Sequence, residues 1–337
     1  MSSDRSNGNN KPTASGMTSR RSFLASTAAM TALAAASRGR LLGQAVAELP
    51  PVVVQGRAAG AIAKIKTLKL RGSVFALQGS GGNIAVLIGP EGKLLVDSGY
   101  STSRPQISDA LHSLSPDPVE RLINTHWHFD HTDGNEWMHS TGATIFAHEK
   151  TRTRMSTPQD IAAFNAHFPP SPAGAVPTEV FTDKKSLRMN GNTLLLEHYD
   201  PAHTDTDISI YFADADVLHA GDTWFNGVYP FIDTSTGGHI DGMIRAAGRT
   251  LGMGTQDTIL IPGHGPIGNK EQLAAWRDML VAVRDNVAKL KRSGHTLAET
   301  IAAKPTADFD AKYNGGSFKA EQFVGIVYQG VVPGQAI

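Results

Sequence analysis

Between Thr125 and Asn135 the chain reads THWHFDHTDGN, three histidines and two aspartates within eleven positions. Imidazole nitrogen and carboxylate oxygen are donors that zinc accepts, usually four at a time. The chain has 13 histidines and no cysteine. A metal held by side chains is therefore held by histidine and carboxylate, with neither a thiolate site nor a disulfide available. If the stretch is extended, His126, His128 and Asp130 share one side, because side chains alternate along a strand. His131 follows where the chain turns into DGN. These four groups make one closed site, or they are divided between two metals.

Three later groups decide between those alternatives. His203 stands in PAHTDTD, in a Pro-led loop between two strand-like runs. Asp222 stands in HAGDTW at the end of a strand, and His264 in IPGHGP at another strand end, flanked by two glycines. Strand ends are where α/β folds carry their chemistry. Together the groups are five histidines and two aspartates. One zinc cannot use all of them, whereas two metals sharing a carboxylate can. The stretch DTWFNGVYPFID adds candidate pocket residues beside Asp222: Phe225, Asn226 and Tyr229, with Trp224. Loop packing next to a metal explains them equally well. Of the other histidines, His239 in GGHIDG and His167 in AHFPP sit in glycine- or proline-rich loops that can border a pocket. The rest read as surface or hydrogen-bonded residues.

The elements that must position these groups come in two rounds of strands followed by helices. KIKTLKL, VFALQG, NIAVLIG and KLLVDSG read as strands separated by glycine-bearing turns. PQISDALHSLS has helical spacing, and VERLINT is a strand leading straight into the histidine stretch. ATIFAHE is a strand with a polar helix behind it. Residues 157–180, dense in proline and alanine, read as a long binding loop or lid. Strands resume with SLRM, TLLLEHY, DISIYFA and DVLHAGD, with NGN as a hairpin turn between the first two. DTILIPGHG is the last strand. NKEQLAAWRDMLVAVRDNVAKLKRSG is the longest amphipathic helix, closed by Gly294. The pattern predicts an α/β architecture with sheets covered by helices on their outer faces.

Basic and acidic residues balance at 31 each, which argues against a nucleic-acid partner. No run of eighteen apolar residues predicts a membrane span in the mature chain. The first residues set the expected destination. A polar opening reads as disordered. SRRSFLASTAAMTALAAAS then places Arg20 and Arg21 ahead of an Ala-rich stretch, which resembles a twin-arginine export signal. Small residues suggest cleavage after Ala47, with AAAS at Ala34–Ser37 as a rival; an ordinary N-terminal helix is the plain alternative. The expected organisation is a leader and export signal over 1–47, a Pro-containing linker over 48–60 and one domain over 61–337. The expected partners are the twin-arginine machinery for the precursor and a small-molecule substrate for the mature chain, periplasmic or secreted, with no stable membrane anchor after cleavage.

The order of these motifs resembles the metallo-β-lactamase superfamily: VDSG at Val96–Gly99, HWHFDH at His126–His131, then His203, Asp222 and His264. The likeness runs from about Ile62 to the C-terminus. It implies a four-layer αβ/βα sandwich. It implies two zinc ions per chain, the first on His126, His128 and His203, the second on Asp130, His131 and His264, with Asp222 bridging. It further implies a hydroxide between the metals that attacks a carbonyl of an ester, thioester, lactone or β-lactam amide, with Asp130 also handling a proton. Asp97 in VDSG matches an aspartate that orients the metal loop. Antibiotic-hydrolysing members carry a cysteine or serine where Asp222 stands; an aspartate there is the pattern of glyoxalase-II-like thioesterases, lactonases and phosphodiesterases. No basic cluster of the kind that holds glutathione follows His264, where only Lys270 is offered. The alternative is a mononuclear iron enzyme resembling persulfide dioxygenases. Specificity is expected in the 157–180 loop, the LQGSGGN turn and the residues after Asp222.

Overall fold

The computed structural model describes residues 49–331. The arginine pair, the Ala-rich stretch and both candidate cleavage points lie outside the described residues. The segment expected as a linker forms helix α1 (Pro51–Ala61). Pro51 stands at the first helical position, where its missing N–H has no partner to lose and its fixed φ starts the turn. The helix docks on Tyr100 through Gly56, where a methyl group would stand 2.7 Å from the tyrosine ring. Arg57 fastens it to Asp133, with Nε and Nη2 donating at 3.0 and 2.6 Å.

The first sheet begins with β1 (Lys66–Arg71), β2 (Val74–Gln78), β3 (Ile84–Leu87) and β4 (Lys93–Val96), all antiparallel neighbours. Helix α2 (Arg104–Leu114) crosses over to the parallel β5 (Val119–Ile123). The short helices α3 (Phe129–Thr132) and α4 (Asn135–Ser140) lead to β6 (Thr144–His148), and α5 (Glu149–Ser156) follows. The expected long loop is more structured than its composition suggested. It contains a two-stranded hairpin, β7 (Gln159–Ile161) with β8 (Ala166–Phe168), and ends in β9 (Glu179–Phe181), the outermost strand of the first sheet. The second sheet runs β10 (Lys184–Met189), β11 (Asn192–His198), β12 (Ile208–Phe212), β13 (Val217–Phe225) and β14 (Ile259–His264) in sequence order. Asn190 and Gly191 both take positive φ, 52° and 73°, the requirement of the tight hairpin turn expected at NGN. Helix α6 (Ile240–Gly252) separates β13 from β14. Helices α7 (Lys270–Arg292), α8 (Leu297–Ala302), α9 (Ala307–Tyr313) and α10 (Ala320–Gly330) complete the chain described.

Strand alternation builds the layers. Ala85, Leu87, Leu94 and Val96 face inward and meet Leu194, Leu196, Ile210 and Ile261 of the second sheet in one core. Their neighbours Ile84, Val86 and Leu95 face outward and bury Ile107 and Leu111 of α2 and Met138 of α4. On the far side, Leu218, Ala220 and Leu260 pack under Met243 of α6, Leu280 of α7 and Phe323 of α10. This is the αβ/βα sandwich, two sheets face to face with helices outside. Ligand-bearing segments emerge together at one edge of it.

At the junction of the sheets the rings of His148 and His198 stack 3.7 Å apart and 3° from parallel. Burial, then the neighbouring imidazole, lowers the pKa of His148 to about 4, with Lys150 lowering it further and Glu149 opposing. Burial also lowers that of His198, with Asp205 and Asp200 opposing. The unfolded chain therefore takes up protons that the folded pair refuses between about pH 6.5 and pH 4. Stability is expected to fall as pH drops through that window. A His148→Gln, His198→Gln double variant should show a shallower dependence of Tm on pH from 6.5 to 4; an unchanged slope contradicts this account.

Candidate metal centre

The centre starts from the residue after β4. Asp97 has a φ of 66°, a left-handed conformation that costs a non-glycine residue about 1 kcal/mol or more. Four hydrogen bonds hold it there. Its N–H donates to Ile123 O at 2.8 Å. Its carboxylate accepts from Thr125 N at 2.8 Å, from Thr125 Oγ1 at 2.7 Å and from His131 Nδ1 at 2.7 Å. This carboxylate ties the end of β4 to the segment after β5 and fixes which nitrogen of His131 faces the site.

The histidine stretch is not extended throughout. His128 caps α3, whose four residues turn as a helix, with the N–H groups of His131 and Thr132 both donating to His128 O at 3.1 Å. The expected alternation of His126, His128 and Asp130 on one side therefore fails. About 100° of rotation per residue turns Asp130 away from the first two histidines and beside His131. Gly82 of the LQGSGGN turn donates its N–H to Asp130 O at 3.1 Å and steadies the helix; the turn itself does not line the cavity described below.

Two groups of donors result. His126, His128, His203 and Asp222, all buried, present ligand atoms within 4.8 Å of one another, and so do Asp130, His131 and His264. Asp222 lies between them. Its Oδ2 is 3.4 Å from His203 Nε2, 3.4 Å from His264 Nε2 and 3.9 Å from His126 Nε2; its Oδ1 is 3.1 Å from His131 Nε2. His264 Nε2 also lies 3.2 Å from Asp130 Oδ2.

Metal-ligating imidazoles need a partner for their second nitrogen, which sets tautomer and ring orientation. Four of the five have one. His126 Nδ1 meets Thr125 Oγ1 at 3.0 Å, which in turn donates to Asp97. His128 Nε2 meets Asp233 Oδ2 at 3.2 Å, leaving Nδ1 toward His203. His131 Nδ1 meets Asp97, and His203 Nδ1 meets Phe231 O at 2.9 Å. The His203 loop is itself pinned by Asp207, whose carboxylate accepts from the N–H groups of His203 and Thr204 at 2.7 and 2.8 Å. Sequence reasoning missed Asp233 and Phe231 in these roles. The only local signal for Asp233 was its capping position ahead of Ser235, whose N–H it accepts at 3.0 Å.

The donor set fits a metal pair. His126 Nε2 and Asp222 Oδ1 are buried and make no hydrogen bond. Orphaned buried polar atoms are costly, and here they belong to residues whose remaining atoms are held for ligation. In the first donor group and at Asp222 the electrostatics agree, whereas in the second, against burial, Asp222 and Asp130 raise His131 well above its ordinary value and His264 to about 10, so that a metal there would displace protons. Burial, followed by the neighbouring His131, holds the pKa of His126 well below its ordinary value. Burial also lowers that of His203 to about 4, against the pull of Asp222; both offer neutral nitrogen. Burial pushes the Asp222 carboxyl up, but His264, His131, His203 and His126 outweigh it and hold the group ionised.

The centre opens into a cavity of about 660 Å³ whose floor includes His128, Asp130, Asp222 and His264. Phe225 and Tyr229, expected as pocket residues, line it. Asn226 and His239 do not. Asn226 Nδ2 donates to Pro266 O at 2.7 Å and its N–H to His264 O at 2.9 Å, which shapes the turn carrying His264. His239 caps α6 by accepting from Gly242 N at 2.9 Å. Trp224 is core, and His167 is an exposed partner of Asp160. Val52 and Gln55 of α1, Phe164 of the hairpin and Phe318 near α10 close the cavity; Phe164 lies in the 157–180 segment expected as a binding loop, whereas sequence reasoning did not place Val52, Gln55 or Phe318 there.

The family model described as "Metallo-beta-lactamase superfamily" matches residues 77–264, a span that contains all seven donor residues. A linear primary-alkylsulfatase from Pseudomonas sp. (strain ATCC 19151) is 23% identical over 252 residues, covering 63% of this chain and 48% of that protein. A hydroxyacylglutathione hydrolase from Polaromonas sp. (strain JS666 / ATCC BAA-500) is 29% identical over 163 residues, covering 48% of this chain and 54% of that protein. The chain thus spans about half the length of the curated relatives it matches. Among solved structures, a stereoselective inverting sec-alkylsulfatase from Pseudomonas sp. superimposes with a TM-score of 0.60 at 18% identity, over 85% of this chain and 53% of that one. A metallo-beta-lactamase from Pontibacter korlensis does so with a TM-score of 0.54 at 18% identity, over 65% of this chain and 99% of that one. At such identities the structures report a shared fold.

Proposed function

Since the chain belongs to the metallo-beta-lactamase superfamily, we propose that it is a hydrolase that uses two zinc ions to cleave a carbonyl substrate, an ester, thioester, lactone or amide. One observation carries this reading: Asp222 is within ion-pair reach of histidines from both donor groups, at the floor of an open cavity. His126, His128 and His203 would hold one ion, Asp130, His131 and His264 the other, and Asp222 both. When bound, such ions make water nucleophilic near neutral pH and polarise an acyl oxygen. The protein's own groups do the rest. Asp130 faces the cavity and accepts the proton that the attacking water sheds. Phe225, stacked on His264 with ring centroids 5.2 Å apart, keeps bulk water from that side of the reacting centre. Asp97 and Asp233 hold the imidazoles in their ligating tautomers. The aspartate at position 222 supports a general hydrolase over a dedicated β-lactamase, in line with the thioester-cleaving and sulfate-ester-cleaving names among its relatives.

A panel on zinc-loaded protein tests the reading: nitrocefin, an acyl-homoserine lactone, an aryl ester, a thioester, an aryl phosphodiester and a primary alkyl sulfate. Turnover of at least one carbonyl substrate, lost on chelation, is expected. Turnover of the sulfate or the phosphodiester alone overturns it. Arg20 and Arg21 support export by the twin-arginine route, which carries folded, metal-loaded chains. A precursor with Arg20→Lys and Arg21→Lys should stay in the cytoplasmic fraction, and its unaltered appearance in the periplasm would remove that support.

A further inference from the structure

The cavity above the metal centre has walls of an unusual kind. None of its lining residues is a lysine or arginine; the non-aromatic polar groups away from the donors are Gln55, Gln322 and Ser317. Of the cations next to lining residues in the chain, Arg57 is paired with Asp133 and Lys319 donates to Asn314 O at 3.3 Å. What lines the walls instead is aromatic. The ring of Phe231 lies 5.9 Å from that of His128 and 5.8 Å from that of His203. The same ring lies 4.7 Å from Phe164 and 5.6 Å from Phe318. A continuous path of rings therefore runs from the metal ligands to the outer wall, through one residue. A charged arm laid along it would lose its water and gain no partner, at a cost no ring contact offsets. An apolar arm gains by burial and by edge and face contacts.

We propose that the site takes an uncharged ester or lactone with a phenyl-sized or larger apolar arm along Phe164, Phe231 and Phe318, and that Phe231 is the residue setting this preference. The inference rests on the carbonyl-hydrolase reading for the reacting group, but not for the arm. The Phe231 carbonyl, which orients His203 Nδ1, is backbone and survives substitution of the ring.

Binding of 4-phenyl-2-butanone, a ketone that cannot be hydrolysed, separates the two claims. Calorimetry on the zinc-loaded protein should give a Kd at least about tenfold lower for this ketone than for its para-carboxylated counterpart. Phe231→Ala should weaken the neutral ketone about tenfold or more, the scale expected for one aromatic contact. The exposed Leu195→Ala should leave it unchanged. In parallel, methyl 4-phenylbutyrate should be cleaved with a lower KM than methyl acetate, and Phe231→Ala should raise that KM. Equal binding of the two ketones, or unchanged binding by folded Phe231→Ala, overturns the proposal. If that variant does not fold, Phe164→Ala and Phe318→Ala decide in the same way. Tight, charge-selective ketone binding without turnover of any ester supports the aromatic site and counts against the carbonyl-hydrolase reading. Ester turnover without charge selection does the reverse.

Discussion

Asp222→Asn is expected to lower kcat/KM on any substrate the protein turns over by about 10³-fold or more, and to cost the protein metal as well as rate. The two effects have one cause. Asp222 reaches His131, His203 and His264 at 3.1–3.4 Å, so its charge is shared by both donor groups. An amide keeps the shape, loses the charge and leaves one oxygen to do the work of two. Removing electrostatic stabilisation at a reacting centre costs about 10²–10³ in rate for a single donor, and here both donor groups lose the charge they share. Asp233→Asn gives the comparison. Among the donor residues its side-chain hydrogen bond is to the far nitrogen of His128, its others going to Ser235 and Thr236 of its own turn, and such supporting partners cost about 10- to 100-fold in metal affinity or activity. Steady-state kinetics with metal analysis on both variants checks the order. A variant at Asp222 no worse than one at Asp233 contradicts a shared carboxylate.

Gly263→Ala is the second large effect expected, and it involves no donor atom. Gly263 lies on β14 directly against β13, and a methyl group there would stand 1.8 Å from Asp222 Oδ1 and 2.8 Å from Gly221 C. The aspartate must move, and with it the common point of both donor groups. A misplacement of about 1 Å near the chemistry can cost on the order of 10²-fold, so activity should fall by at least that factor with the fold retained. Gly248→Ala is the control. It sits on the exposed side of α6 with nothing within 4 Å of the added carbon, and should raise stability by about 0.5–1 kcal/mol without touching activity. Circular dichroism and kinetics on the pair check the contrast. Near-normal activity in Gly263→Ala would mean that Asp222 does not occupy the position described.

Much of this molecule was legible as sequence because its strands are short, alternate cleanly and end in glycine-bearing turns. Ile84 to Leu87 and Lys93 to Val96 read as strands, and their alternate faces became two separate cores. The NGN turn was legible because only certain residues take positive φ at two successive positions. The donors were legible because four of them crowd into the six residues His126–His131, although only His264 proved to end a strand and Asp222 lies within β13. What the sequence hid depended on local turning or on distant partners. Strand alternation put Asp130 beside His126 and His128 because periodicity within four residues cannot separate a strand from one turn of helix, whereas the family likeness put it with His131 and His264, where the structure groups it. Helix α1 was taken for a linker because its prolines and glycines read as breakers, whereas Pro51 starts the helix and Gly56 packs it. Asp233 is 105 residues from His128, and no spacing rule connects them. Asn226 and His239 were chosen for proximity in sequence to Asp222 and to a glycine-rich loop, but backbone hydrogen bonds use both elsewhere.

The arrangement depends on donors spread from His126 to His264 closing around two positions rather than one. Counting the metal is the most direct test: strip the purified protein, titrate zinc back, and follow bound metal by mass spectrometry alongside activity. Two ions per chain, with activity reaching its plateau only at the second equivalent, is the predicted result. A single ion at saturation, whether zinc or iron, retained in full by Asp222→Asn, would contradict it.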